Sequence, residues 1–164
     1  MLFRFAKSNA GGYIFGIVVL GVPRLIPGVI FVSRDLVVLK HPRPISAAHL
    51  VAVPRKYLRD IQDSTPLRDV FLDRLSAWWR QEPVVEYVGF SNVGVRQEVR
   101  YLHVHLVGGA SLNGFRSVAA DRLSVGVQMA VREADQSGAA YVARTYSFAP
   151  INQSVGWLVS VDQV

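Results

Sequence analysis

A segment near the middle of the chain sets two histidines in an apolar run that ends in paired glycines. It covers residues 101–109 and reads Tyr-Leu-His-Val-His-Leu-Val-Gly-Gly. Successive side chains of a strand point to opposite faces, so Tyr101, His103 and His105 share one face while apolar residues line the other. Two adjacent imidazoles in an apolar setting need polar partners. The pattern therefore indicates a strand with a core on one side and a functional site on the other, and a hydrogen-bonded core pair is the alternative.

Length and composition restrict the class of protein. A chain of 164 residues fits one domain with its own core. It has no cysteine, which excludes disulfides, thiolate zinc sites and thiol catalysis. Its 18 Lys and Arg against 12 Asp and Glu give a formal charge of +6, which suits either a phosphate-bearing ligand or a basic solvated surface. We do not expect nucleic acid as a partner, because no dense basic run is interleaved with aromatics.

An apolar stretch near the N-terminus raises the question of a membrane. It runs from Tyr13 to Val22, after Arg4 and Lys7, and is too short to span a bilayer before Pro23 interrupts it. The residues that follow offer no convincing small-residue cleavage site for a signal peptide. We therefore expect a packed N-terminal helix or strand, no membrane association and a cytoplasmic protein.

Hydrophobic patterning predicts an α+β domain. Ser64-Thr65-Pro66 predicts a helix start, with a hydroxyl cap followed by proline near the first turn. Apolar residues of this helix recur at helical spacing from Leu67 to Trp78. A second helix is predicted over Ser117–Gln136. Strands are predicted at Val29–Val32, Leu36–Lys40, His49–Val53, Val84–Phe90, Val99–Val107, Tyr141–Phe148 and Val155–Val161, with a loop over Ser91–Arg96. We expect a single domain in which residues 1–109 form the core and residues 110–164 form a C-terminal helix-strand-strand extension.

The first 109 residues resemble the histidine triad family, whose hallmark is three histidines that alternate with apolar residues and are often followed by Gly-Gly. His103 and His105 match the second and third histidines, and Gly108-Gly109 matches the glycine pair. The resemblance implies a HIT-like, largely antiparallel sheet with packed helices, and a homodimer that buries the helix and strand ahead of the triad. It also implies a nucleotide or other phosphate-bearing ligand and no cofactor. The other matching positions are His49–Lys56, Ile26-Pro27, Asn92 and Gln97.

Several positions depart from the family's pattern. Tyr101 stands at the first histidine, and a phenol cannot carry a proton at neutral pH as imidazole does. His41 stands where many members have an aspartate for the ribose hydroxyls, and Glu98 where a serine contacts phosphate. Tyr13 and Gly16 replace the Cys-x-x-Cys half of a zinc site.

The resemblance implies a nucleotide phosphoester or phosphoramidate hydrolase, or a nucleotidyl transferase. His103 would attack phosphorus and form a covalent phosphohistidine. His105 would donate a hydrogen bond to a nonbridging oxygen, and Tyr101 would be the third catalytic residue, so that Tyr101→His should raise turnover. The ligand-binding candidates are Asn92, Gln97, Glu98, His41 and Gly108.

Two other interpretations stay open. A homodimer with the same fold could keep a phosphate-sized pocket and have lost turnover, because Tyr101, His41 and Glu98 are altered. Alternatively, His-x-His on a strand can begin a zinc or iron site. Only Glu98, His41 and His49 are plausible partners for that site, and we predict no metal.

Overall fold

A computed structural model of the chain describes residues 21–81, 86–97, 99–110, 112, 116–136, 143–151 and 156–163. Within these ranges the chain forms eight strands, two α-helices and a short 3-10 helix at Pro23–Leu25. The strands are β1 (Val29–Val32), β2 (Leu36–Lys40), β3 (His49–Pro54), β4 (Tyr87–Gly94), β5 (Val104–Gly108), β6 (Arg116–Ala120), β7 (Ala143–Pro150) and β8 (Trp157–Gln163). The helices are α1 (Pro66–Trp79) and α2 (Leu123–Gln136).

The strands form one sheet in the order β1-β2-β3-β5-β4-β7-β8-β6, and all neighbours are antiparallel. Both helices contribute to the large apolar core on one face of this sheet, where they meet the inward side chains of the strands. The predicted α+β fold with a largely antiparallel sheet is confirmed. The core residues of the helices include Phe71, Leu75, Trp79, Val127 and Val131.

The opposite face of β2 and β3 carries a second, smaller apolar cluster. Its buried members are Ile26, Val37, Leu39, Val51, Val53 and Tyr101. Side chains alternate along a strand, so His49 on β3 lies on the same face as Val51 and Val53 of this cluster, and His105 on β5 faces away from the core residues Val104 and Leu106. This geometry places the histidines beside the smaller cluster and away from the helices.

The C-terminal strands extend the sheet at the edge of β4. β7 pairs with β4 from Gly89 to Gly94, and α2 packs against α1. The junction is tight, since a Cβ atom on Gly89 would lie 2.5 Å from Cε2 of Phe148 and 3.0 Å from Cη2 of Trp79. The extension therefore covers both the helix and the strand that precede the histidine motif.

Two predicted boundaries were wrong because strand pairing prevailed over local pattern. The predicted helix over Ser117–Gln136 begins only at Leu123, since residues 116–120 form β6 and pair with β8. The predicted loop over Ser91–Arg96 is strand as far as Gly94, because β7 supplies its hydrogen-bond partners.

The histidine strand also starts later than predicted. β5 begins at Val104 instead of Val99, because the backbone N–H of Tyr101 donates to the Val99 carbonyl in a tight turn. The N–H of Leu102 then donates to the Leu58 carbonyl outside the sheet.

Some predictions fall outside the described residues. These include Tyr13, Gly16 and Glu98, most of the predicted N-terminal element, and the first part of the predicted strand over Val84–Phe90. Within the described ranges, none of the helices combines the length and the apolar character needed to cross a bilayer.

Candidate histidine site

All four histidines of the chain meet on the face of the sheet that carries the smaller apolar cluster. His105 is central: its ring centroid lies 5.1 Å from that of His103, 5.2 Å from His49 and 5.4 Å from His41. The sheet register explains the contact with His49, because β3 and β5 pair His49 with Val107 and Val51 with His105.

His41 and His49 flank the connection between β2 and β3. The backbone N–H of His41 donates to the His49 carbonyl over 2.9 Å, which closes the connection. Pro42 and Pro44 lie inside it and prevent regular structure there. The two imidazole rings consequently stack, with centroids 4.1 Å apart and planes within 5° of parallel.

Hydrogen bonds assign the protons on two of the rings. The N–H of Ile45 donates to Nδ1 of His49 over 3.2 Å, so the proton of this neutral imidazole is on Nε2. Nε2 of His49 lies 3.0 Å from Nδ1 of His105 and donates to it. His105 therefore carries its own proton on Nε2, where it is a hydrogen-bond donor.

Both rings of this pair are neutral at physiological pH. Burial and then the neighbouring His41 lower the pKa of His49 to about 4. Burial, and after it charge repulsion from His103, His49 and His41, lower the pKa of His105 to about 3. The pair thus offers lone pairs and N–H groups and no fixed positive charge.

His103 is half-buried and lies just before β5. Its Nδ1 is 2.8 Å from the Tyr101 carbonyl oxygen, which can only accept, so Nδ1 carries a proton, and in the neutral ring the lone pair is on Nε2. The carbonyl of His103 itself accepts a hydrogen bond of 3.0 Å from the buried hydroxyl of Ser91 on β4. These contacts fix both the tautomer and the position of the ring.

Phe90 is a site residue that the sequence did not reveal. It lies opposite His105 in the pairing of β4 with β5, and the two rings stack with centroids 4.7 Å apart and planes 14° from parallel. Alternation along β4 assigns Phe90 to a face, but only the register between strands brings it to His105.

Tyr101 is buried, and its polar group bonds to the backbone at the end of β3. Its side chain is 1% exposed and packs in the smaller apolar cluster with Val51 and Val53. Its hydroxyl donates to the Pro54 carbonyl over 2.6 Å, and burial raises its pKa. The residue predicted to replace the first histidine thus lies in a packed cluster, and its part in catalysis stays a prediction.

The predicted ligand-binding residues are distributed around the site. Oδ1 of Asn92 accepts from the Thr145 hydroxyl at 2.9 Å, and the amide of Gln97 donates to the Arg59 carbonyl at 2.7 Å. The N–H of Gly108 donates to the Ala48 carbonyl at 2.7 Å. The ring of His41, another ligand-binding candidate, is in contact with the rings of His49 and His105.

Three of the four histidines lie close enough together to bind a metal ion. One ring nitrogen from each of His41, His49 and His105 lies within 4.8 Å of the other two. Among the described residues, no other three histidine or carboxylate side chains lie close enough together to share an ion.

No protein-family model matches the chain, and no curated protein is similar to it in sequence. Solved structures are similar in fold. A histidine triad protein from Clostridium difficile has a TM-score of 0.51 at 19% identity, and covers 63% of this chain and 95% of its own. A HIT family hydrolase from Clostridium thermocellum has a TM-score of 0.50 at 18% identity, over 61% and 92% of the two chains.

A hypothetical protein from Leishmania major has a TM-score of 0.50 at 16% identity, over 76% of this chain and 95% of its own. At these identities the similarity concerns the fold. The resemblance that the histidine motif suggested is confirmed at that level: the chain has the histidine triad fold.

Proposed function

We propose that this protein cleaves a nucleotide phosphoester or phosphoramidate and transfers the nucleotidyl group to water or another acceptor through a phosphohistidine on His103. The observation that carries the proposal is the hydrogen bond of 2.8 Å from Nδ1 of His103 to the Tyr101 carbonyl. It leaves the lone pair on Nε2, as a nucleophilic imidazole requires at neutral pH.

In the proposed first step, Nε2 of His103 forms a bond to phosphorus while the bond from phosphorus to the leaving group breaks. His105 supports this step, since its proton is on Nε2 and can be donated to a nonbridging oxygen as charge builds up there. His49 holds His105 in that tautomer, and Ile45 in turn holds His49. The second step is attack by the acceptor on phosphorus, which releases His103.

The charge of the chain suits such a substrate, because a net charge of +6 favours a phosphate-bearing ligand. Oδ1 of Asn92, the side-chain N–H of Gln97 and the backbone N–H of Gly108 already bond to other protein groups, so a ligand would have to displace those partners to use these particular atoms. Ligand contacts at these residues and at Glu98 stay predictions.

A specific observation also favours a second candidate function, a nucleotide-binding protein without turnover. The Tyr101 hydroxyl is committed to the Pro54 carbonyl, so the position of the first histidine offers no acid for the leaving group. General acid catalysis is typically worth about 10²–10⁴-fold. Substrates whose leaving groups depart without a proton should therefore be cleaved first.

The test is a screen of nucleoside 5′-phosphoramidates and dinucleoside polyphosphates with wild-type protein, His103→Gln and Met129→Gln. Met129 is an exposed residue on α2, and its variant is the control for handling and folding. We expect turnover by the wild type and the control, a nucleotidyl adduct on His103 in mass spectra after an alkaline quench, and neither with His103→Gln.

Binding of nucleoside monophosphate without turnover of any substrate would favour the binding protein. Turnover that survives in His103→Gln would mean that the nucleophile is another residue, with His105 the next candidate.

We further propose that the functional unit is a single chain. The resemblance implies a homodimer formed through the helix and strand ahead of the motif, but here α1 packs on α2 and the edge of β4 pairs with β7. A concentration-independent monomer in light scattering would support this proposal. A stable dimer would restore the prediction made from the sequence.

A further inference from the structure

His41, His49 and His105 form a cluster that the proposed phosphoryl chemistry uses only in part. That chemistry needs His103 as the nucleophile and His105 as a donor, and it gives His41 no part in the bond-making steps. Yet one nitrogen from each of the three rings lies within 4.8 Å of the others. The cluster therefore needs an explanation of its own.

We propose that His41, His49 and His105 bind a divalent transition-metal ion, and that Zn²⁺ fits the set best. Three imidazoles around one ion, with a fourth position for water or a substrate oxygen, are a common zinc arrangement. Neutral imidazole is also a ligand that zinc prefers over the harder alkaline-earth ions. Since the chain has no cysteine, this is a different ligand set from the cysteine-containing zinc site of the histidine triad family. The proposal stands independently of the proposed function.

The surroundings of His41 support its role as a ligand. Its Nδ1 lies 2.7 Å from the Arg43 carbonyl oxygen and 3.1 Å from the Arg43 N–H. The shorter contact is to a group that can only accept, so we assign the proton to Nδ1 and the lone pair to Nε2. Histidine ligands usually donate their second nitrogen to a backbone carbonyl or carboxylate in this way.

His49 must change its tautomer when the metal binds. Its proton now lies on Nε2, between His49 and His105, where the ion would sit. That proton moves to Nδ1, and the Ile45 N–H, which now donates to Nδ1, turns away. Ile45 is 73% exposed in the irregular connection between β2 and β3, so this movement displaces no core residue.

His41 must also rotate. A metal lies in the plane of each imidazole that binds it, and the stacked rings of His41 and His49 are parallel planes that share no point. The contacts of the His41 ring with Arg43 are within its own connection, so rotation out of the stack is local. His105 keeps its N–H on Nε2, and the ion on Nδ1 makes that group a stronger donor.

The experiment is calorimetric titration of chelator-treated full-length protein with ZnCl₂, using wild type, His41→Ala and His103→Ala. His41→Ala removes a half-buried ligand without touching the core, whereas His49 is 5% exposed and its removal threatens the fold. His103→Ala is the matched control, since it removes the one neighbouring histidine that is outside the ligand set.

We expect one Zn²⁺ per chain for the wild type and for His103→Ala. His41→Ala should weaken binding by at least about 10- to 100-fold, since even partners in the outer coordination shell are worth this much. The amide resonance of Ile45 should shift on addition of Zn²⁺ in wild type and His103→Ala.

Absence of zinc binding by the wild type, equal affinity in His41→Ala, or loss of binding in His103→Ala would each overturn the proposal. His103→Ala also separates the two proposals, because it should bind zinc and show no turnover. Absence of catalysis would therefore not contradict zinc binding, and absence of zinc binding would not contradict catalysis.

Discussion

Replacing Tyr101 with phenylalanine tests whether this residue packs or reacts. The ring, which is 1% exposed and packs in the smaller apolar cluster, is kept. The variant loses only the hydroxyl that donates to the Pro54 carbonyl over 2.6 Å. If the hydroxyl is structural, the variant should be less stable and equally active.

The size of the loss follows from the burial of the pair. A typical intramolecular hydrogen bond contributes about 1 kcal/mol, and an acceptor left buried without a partner raises the cost to about 1–3 kcal/mol. We expect the free energy of unfolding to fall by about 1–2 kcal/mol. For a chain of this length that corresponds to a Tm lower by about 2–8 °C.

The measurements are urea unfolding, calorimetry and turnover of the best substrate, on wild type and Tyr101→Phe. Unchanged stability together with a loss of turnover of about 10²–10⁴-fold would refute the packing role and make the hydroxyl a catalytic acid. Tyr101→His belongs to the same test: the structure predicts an imidazole in an apolar cluster, hence lower stability, in place of the gain in turnover expected from the sequence.

Three further predictions concern packing and pH. Gly89→Ala should destabilise the protein by about 1–3 kcal/mol through overpacking against Phe148. Gly21→Ala, whose Cβ would have no neighbour within 4 Å, should not destabilise it in urea unfolding. Equal stability of both variants would contradict the tight junction. Phe90→Leu should lower stability by about 0.5–1.5 kcal/mol through loss of ring stacking on His105, and should alter the His105 ring resonances; an unchanged His105 spectrum would argue against the stack. In metal-free protein, the free energy of unfolding should fall as the pH is lowered from 6.5, the ordinary histidine pKa, towards the folded values of about 4 for His49 and about 3 for His105. Below pH 6.5 these histidines bind protons in the unfolded chain and stay neutral in the folded chain, so acid favours unfolding. The loss at pH 5 should total about 1–2 kcal/mol after allowance for partial exposure, and a flat stability profile from pH 7 to 5 would show that the pair is not held neutral.

Alternation alone was enough to place His103 and His105 on one face, because the period of two in a strand is a local property of the backbone. The capped start of α1 was predicted for a similar reason, since the Thr65 hydroxyl accepts from the Arg68 N–H within one turn. The order of motifs suggested the fold before any coordinates did. These features depend on residues that are close in sequence.

Tertiary structure decided what depends on residues far apart. His49 and His105 are separated by 56 positions, and only the register of β3 on β5 brings their nitrogens to 3.0 Å. Pairing between β6 and β8 made residues 116–120 a strand in place of the predicted helix. Propensity is a weak preference that such long-range hydrogen bonds and burial exceed.

Tyr101 shows the same contrast between what the local sequence determines and what tertiary contacts determine. Its sequence position matched a catalytic histidine, and its place on the face of His103 and His105 followed from alternation. Whether its hydroxyl met a substrate or the Pro54 carbonyl depended on where β3 ends, 47 positions away. The sequence by itself therefore determined which side chains share a face, whereas only the folded sheet determined their partners, because hydrogen bonds and packing are made between neighbours in space.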